Sequence, residues 1–140
     1  MTQENKELLI RDLCARVPYG VKYMRYSWNY DIDQELPVIE TLECVDKDGY
    51  INHRRVYTVD DIKPYLFPLS SMTEEQKKYI ADRWGINEDF DFDIDPNWGE
   101  YFVDLCDVVD YVNWLIENHF DFNWLIPKGL ANDATELNIY

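Results

Sequence analysis

Residues 88 to 100 read EDFDFDIDPNWGE, with an acid at every second position from Asp89 to Asp95. Counted from Asp89, carboxylates fall at positions 1, 3, 5 and 12 of a twelve-residue loop, as Asp89, Asp91, Asp93 and Glu100. An EF-hand surrounds calcium with oxygen at this spacing. Two residues oppose it. Position 6 needs glycine for a sharp turn and holds Ile94, and a left-handed β-branched residue there costs on the order of 1–2 kcal/mol. Position 8 holds Pro96, which has no N–H to donate. A second reading is solvation alone: an extended segment turns Phe90, Phe92 and Ile94 inward and the four aspartates outward. Same-face neighbours then lie roughly 7 Å apart, where repulsion in water is about 0.6 kcal/mol per pair before salt screens it, so no cation is required. The third is mimicry, in which closely spaced carboxylates compete with phosphate for a basic partner.

No other constellation reaches the specificity of that spacing. The three serines are Ser27, Ser70 and Ser71, and the last two stand at a helix start, where hydroxyls cap. GxSxG, a glycine-rich phosphate loop and HExxH do not occur. His53 lies on an alternating strand and is expected to be exposed; His119 falls near a helix C-terminus, where a partly cationic imidazole is favourable. Cys14, Cys44 and Cys106 are widely spaced with no CxxC, and Cys14 and Cys106 fall on apolar helix faces as small hydrophobes. The acids are too numerous for any one pair to be informative. These patterns point away from an enzyme and assign no catalytic, cofactor-binding or metal residue. Trp98 with Tyr101, beside the acidic stretch, is expected to be partly exposed as a contact patch.

The elements that would position these residues follow from composition and periodicity. A chain of 140 residues, 46% hydrophobic and 16% aromatic, can fold as one compact domain with its own core. The net charge of −15, from 28 acids against 13 basic residues, repels nucleic acid and anionic membranes and leaves a protein partner, a basic one by charge, as the expectation. No apolar run approaches the roughly 18 residues of a membrane span, and the charged N-terminus has no signal core, which reads as cytoplasmic.

Leu9, Ile10, Leu13, Cys14 and Val17 give an amphipathic helix over 3–17, stopped by Pro18 and Gly20. Strands are predicted at 21–28, 38–46 and 50–57, the last two joined at Asp48-Gly49, where the turn needs positive φ. With its prolines, 58–71 reads as a connector with one helical turn near Asp60–Lys63. A second helix over 73–84 starts in a capping box, Ser71 with Glu74 or Thr73 with Gln76. The third spans 101–118, with Phe102, Leu105, Cys106, Val109, Val112 and Ile116 on one side. Residues 127–140 read as a polar C-terminal tail. The predicted class is α+β: a three-stranded antiparallel sheet packed by about three helices.

Three stretches, LLIRDLCARVPYGVK (8–22), DIKPYLFPLSSMTEEQ (61–76) and WLIENHFDFNWLIPKGLA (114–131), together resemble a family of small proteins without assigned activity, frequent in gut Bacteroidales genomes and their phages and mobile elements. The resemblance covers about a third of the chain, implies a phage or mobile-element setting, and does not include residues 88–100. The resulting expectation is a non-enzymatic, acidic protein-interaction module, with calcium binding at 89–100 and nucleic-acid mimicry as the alternatives.

Overall fold

The structure, a computed structural model, describes residues 1–84 and 105–140. It is α+β, with helices α1 (Gln3–Arg16), α2 (Glu74–Trp84) and α3 (Leu105–Glu117). The strands are β1 (Lys22–Asn29), β2 (Gln34–Thr41), β3 (Tyr50–Ile51), β4 (Arg54–Thr58), β5 (Lys63–Pro68), β6 (Phe120–Asp121) and β7 (Asn132–Asp133). The main sheet is mixed and five-stranded, in the order β2-β1-β5-β6 with β7 also on β5, and β3–β4 form a separate hairpin. This corrects the three-stranded antiparallel expectation.

The correction turns on β5, which the two prolines of KPYLFP had disguised as a connector. Proline removes a ladder donor and is normally excluded from a central strand. Here each partner covers a different stretch: β1 pairs antiparallel with Lys63 and Pro64, β7 parallel with Tyr65 and Leu66, and β6 parallel with Phe67 and Pro68. Among the described residues no residue of β5 is therefore paired on both edges, which leaves room for residues that lack an N–H. A 3-10 turn over Val59–Asp61 precedes the strand, closed by a capping box between Thr58 and Asp61.

Two turns divide 42–58. At the predicted Asp48-Gly49 turn, Asp46 Oδ1 accepts from the N–H groups of Asp48 and Tyr50, and Gly49 has φ +87. This turn closes only a single bridge between Val45 and Ile51. The run 50–57, expected as one strand, reverses at Asn52-His53, both at positive φ as a tight hairpin turn requires. The Asn52 side chain secures the reversal by accepting from Glu43 N and donating to the Thr41 carbonyl.

Two buried clusters result. Leu9 and Leu13 of α1 pack with Val21, Tyr23, Leu42, Ile51, Val59, Ile62 and Leu66. Ile80 of α2 and Tyr111 and Leu115 of α3 pack with Leu69, Met72 and Phe120. Of the two capping boxes open to α2, Thr73 with Gln76 forms. The helix faces differ from the expected ones. Cys14, Cys106 and Val109 are exposed, whereas Asp12 and Arg16 are buried on α1 and Tyr111 on α3. On α3 the expected stripe is rotated because Tyr111 and Leu115, not Val109, meet α2 and Phe120. Residues 127–140 are not a polar tail: Leu130, Ala131 and Ala134 are buried, β7 joins the sheet, and the Tyr140 hydroxyl donates to the Tyr65 carbonyl while accepting from Lys22 N. These burials follow from β5 being a strand, since that opens an edge for the C-terminal segment to pair.

Asp12 and Arg16 form the one fully buried ion pair among the described residues, Nε to Oδ2 at 2.6 Å and Nη2 to Oδ1 at 3.2 Å. Arg16 Nη2 also donates to the Phe120 carbonyl and Asn123 Nδ2 donates to Asp12, so the pair ties α1 to the chain leaving α3. Asp12→Ala leaves a buried guanidinium without its counter-charge and is expected to cost about 3–5 kcal/mol, whereas Asp12→Leu with Arg16→Met should recover most of it. Denaturant unfolding of the three variants checks this; a loss below about 1 kcal/mol for Asp12→Ala would contradict the role given to the pair.

Candidate functional site

The β1–β2 ribbon runs past the rest of the sheet. β1 meets β5 only at Tyr23 and Met24, so Arg25–Asn29 pair with β2 alone. The expected loop 29–37 is shorter than its polar sequence suggested: Gln34–Pro37 pair with Tyr26–Asn29, and Asp33 at φ 56 closes the turn. Among the described residues β2 pairs with β1 alone, and Gln34–Pro37 are all exposed, so the alternation that marks a half-buried strand is missing there.

Residues directly opposite in an antiparallel pair share a face. One face of the ribbon holds Met24 with Ile39, Tyr26 with Pro37, and Trp28 with Glu35. Tyr26 is 55% exposed, Trp28 46% and Ile39 44%, and Tyr30 at the turn is 88% exposed. None of the ring pairs among the described residues includes Tyr26, Trp28 or Tyr30. The rings near α2 and α3 behave otherwise: Trp84 packs on Tyr79, Tyr111 and Trp114, and Trp114 stacks on Phe120.

The opposite face is a polar buttress. Tyr23 Oη donates to Glu40 at 2.6 Å, Arg25 Nη2 donates to its other oxygen at 2.6 Å, and the Arg25 guanidinium lies 5.0 Å from the Tyr57 ring centroid. Asn52 Nδ2 donates to Tyr23 Oη, linking the β3–β4 hairpin to the ribbon. The Arg25 guanidinium, then the Tyr23 hydroxyl, holds the Glu40 carboxyl down to about 2, while burial and the Glu40 bond push Tyr23 up. The ribbon is thus fixed from one side, and among the described residues its other face leaves Tyr26, Trp28 and Ile39 about half exposed.

A second concavity, about 490 Å³, lies between α2 and α3, lined by Phe67, Gln76, Glu117, His119 and Tyr140 among others. Burial, then the charges of Arg16 and Lys22, lowers His119 to about 4, so the imidazole is neutral near pH 7 and not the partly cationic group expected at a helix end. Its ring stacks on Tyr140 with centroids 3.7 Å apart. Ser71 Oγ donates to the Pro68 carbonyl, so this hydroxyl is not held by the imidazole as a nucleophile would be. His53 is exposed, as expected. The predicted calcium set Asp89, Asp91, Asp93 and Glu100, and the patch at Trp98 and Tyr101, lie outside the described residues. Among the described residues no group of three His, Cys, Asp or Glu could hold a metal ion, and no helix is long and apolar enough to cross a membrane. Comparison with protein-family models, curated proteins and solved structures found no match.

Two outcomes follow. His119 and Glu40 both have folded-state values below their unfolded ones of 6.5 and 4.5, so the unfolded chain binds more protons in each window. Stability should therefore fall between pH 6.5 and about 4 through His119, and between 4.5 and about 2 through Glu40. In pH-resolved thermal unfolding, His119→Gln should flatten the first limb and Glu40→Gln the second; unchanged limbs would contradict the assignments. Separately, Tyr26→Ala and Trp28→Ala should each change stability by under about 1 kcal/mol, against about 3–5 kcal/mol for Phe120→Ala. A Trp28→Ala loss as large as that of Phe120→Ala would make the ribbon aromatics part of the core.

Proposed function

We propose that this protein is a non-enzymatic interaction module that contacts a protein partner through the bare face of the β1–β2 ribbon. The observation that carries this reading is the exposed row of Tyr26 and Trp28, with Pro37 and Ile39 beside it, none of which belongs to either buried cluster although Tyr23 at the base of β1 does. Aromatic residues dominate binding hot spots, and a half-exposed pair that stacks on no other ring among the described residues is suited to packing on a partner. Pro37 offers no N–H on the edge strand β2, which blunts strand addition and favours recognition by side chains. The net charge of −15 opposes nucleic acid as the partner. The resemblance of residues 8–22, 61–76 and 114–131 supports reading the module as an accessory protein of a phage or mobile element.

The test is site-specific photo-crosslinking in an extract of the native source. A benzophenone side chain at position 26 should give a discrete protein adduct that Trp28→Ala abolishes, and the same group at exposed position 79 should not. Absence of any adduct at position 26, or equal labelling at both positions, would count against the ribbon as the contact surface.

A further inference from the structure

Resting on that reading, we infer that the ribbon binds an extended, positively charged segment of its partner, with one Lys or Arg side chain seated over Trp28 and against Glu35. The register places Glu35 directly across from Trp28 on the bare face, so a carboxylate stands beside an exposed indole. A cation over an indole is drawn to the ring face, and a neighbouring carboxylate adds a charge-assisted hydrogen bond. Tyr26 with Pro37 lies one same-face step away, which suits an apolar side chain two residues from the cation in an extended chain.

Charge supports this occupant over others. From Tyr26 to Asp46 there is no Lys or Arg, while Asp31, Asp33, Glu35, Glu40, Glu43 and Asp46 are all acids. Glu40 is matched by Arg25. Asp31, Asp33 and Glu35 are exposed and take part in no ion pair among the described residues, so the outer half of the ribbon carries uncompensated negative charge. Lys22 and Lys63, the cations of this face, lie at its base beside Thr41 and Met24. A second copy of the chain would bring the same acids and another −15 against them.

The probe is a short synthetic peptide of repeated Lys-Thr-Val-Thr units, with Glu-Thr-Val-Thr as its control, followed by amide and indole NMR shifts. The lysine peptide should move the Trp28 indole and the amides of 26–28, 35, 36, 38 and 39. Its binding should weaken about tenfold in Trp28→Ala and severalfold in Glu35→Gln or at high salt, while the glutamate peptide leaves the spectrum unchanged. Equal shifts from both peptides, or shifts confined to α2 and α3, overturn the inference. A ribbon adduct at position 26 with a silent lysine peptide leaves the contact surface standing and removes the basic segment. Silence in both experiments removes both. Self-association on concentration that Trp28→Ala abolishes identifies a second copy as the occupant and overturns the basic segment.

Discussion

The Asp12–Arg16 pair is the constraint around which the rest of the fold is arranged. Both side chains are withdrawn from water, where an uncompensated charge would cost several kcal/mol, so their partners have to be in place whenever the chain is folded. Meeting that requirement fixes three things at once. α1 must present residues 12 and 16 on its inner face, the carbonyl of Phe120 must point back at the guanidinium, and Asn123 must reach the carboxylate. The turn after α3 is set in the same way: Asp121, itself buried, accepts from the N–H groups of Leu125 and Ile126, although burial still pushes its carboxyl up. Once these bonds are made, β6 is positioned against the end of β5 and Phe120 is delivered to the second buried cluster.

β5 carries that constraint into the sheet. Leu66 belongs to the cluster under α1, while Phe67 packs against the cluster between α2 and α3, so a six-residue strand spans both. Its three short partnerships make the sheet irregular, each covering two residues of the strand. Tyr140 spans the join, its hydroxyl bonded to Lys22 of β1 and Tyr65 of β5 and its ring against His119 and Phe67.

What could be read in the sequence followed from how local its cause was. The three helices, the caps at Thr73 and Gln76, and the glycine turn at 49 depend on residues within a few positions of one another, and these were legible. The strand at 63–68 was not, because its prolines are tolerated only through partners some 40 to 70 residues away in sequence. The burial of Asp12 and Arg16 was hidden for the same reason: on a helix drawn alone, an i, i+4 pair of opposite charges reads as a solvent-facing ornament. Tyr26 and Trp28 were recognised as strand residues, yet exposure is a statement about what fails to cover them, and sequence alternation carries no such information. The run of acids after Trp28 and Pro37 opposite Tyr26 were the available signals of an uncovered strand.

That the outer half of the ribbon stands apart from both clusters has a consequence for how such a protein can change over generations. Substitutions at Tyr26, Trp28, Tyr30 or Ile39 remove little that the folded state depends on, because these side chains contribute to neither buried cluster. The buttress of Tyr23, Arg25, Glu40 and Asn52 keeps the strands in register whatever the opposite face displays. Selection can therefore rewrite the displayed residues without passing through unfolded intermediates, and one exposed surface can be exchanged for another on an unchanged scaffold.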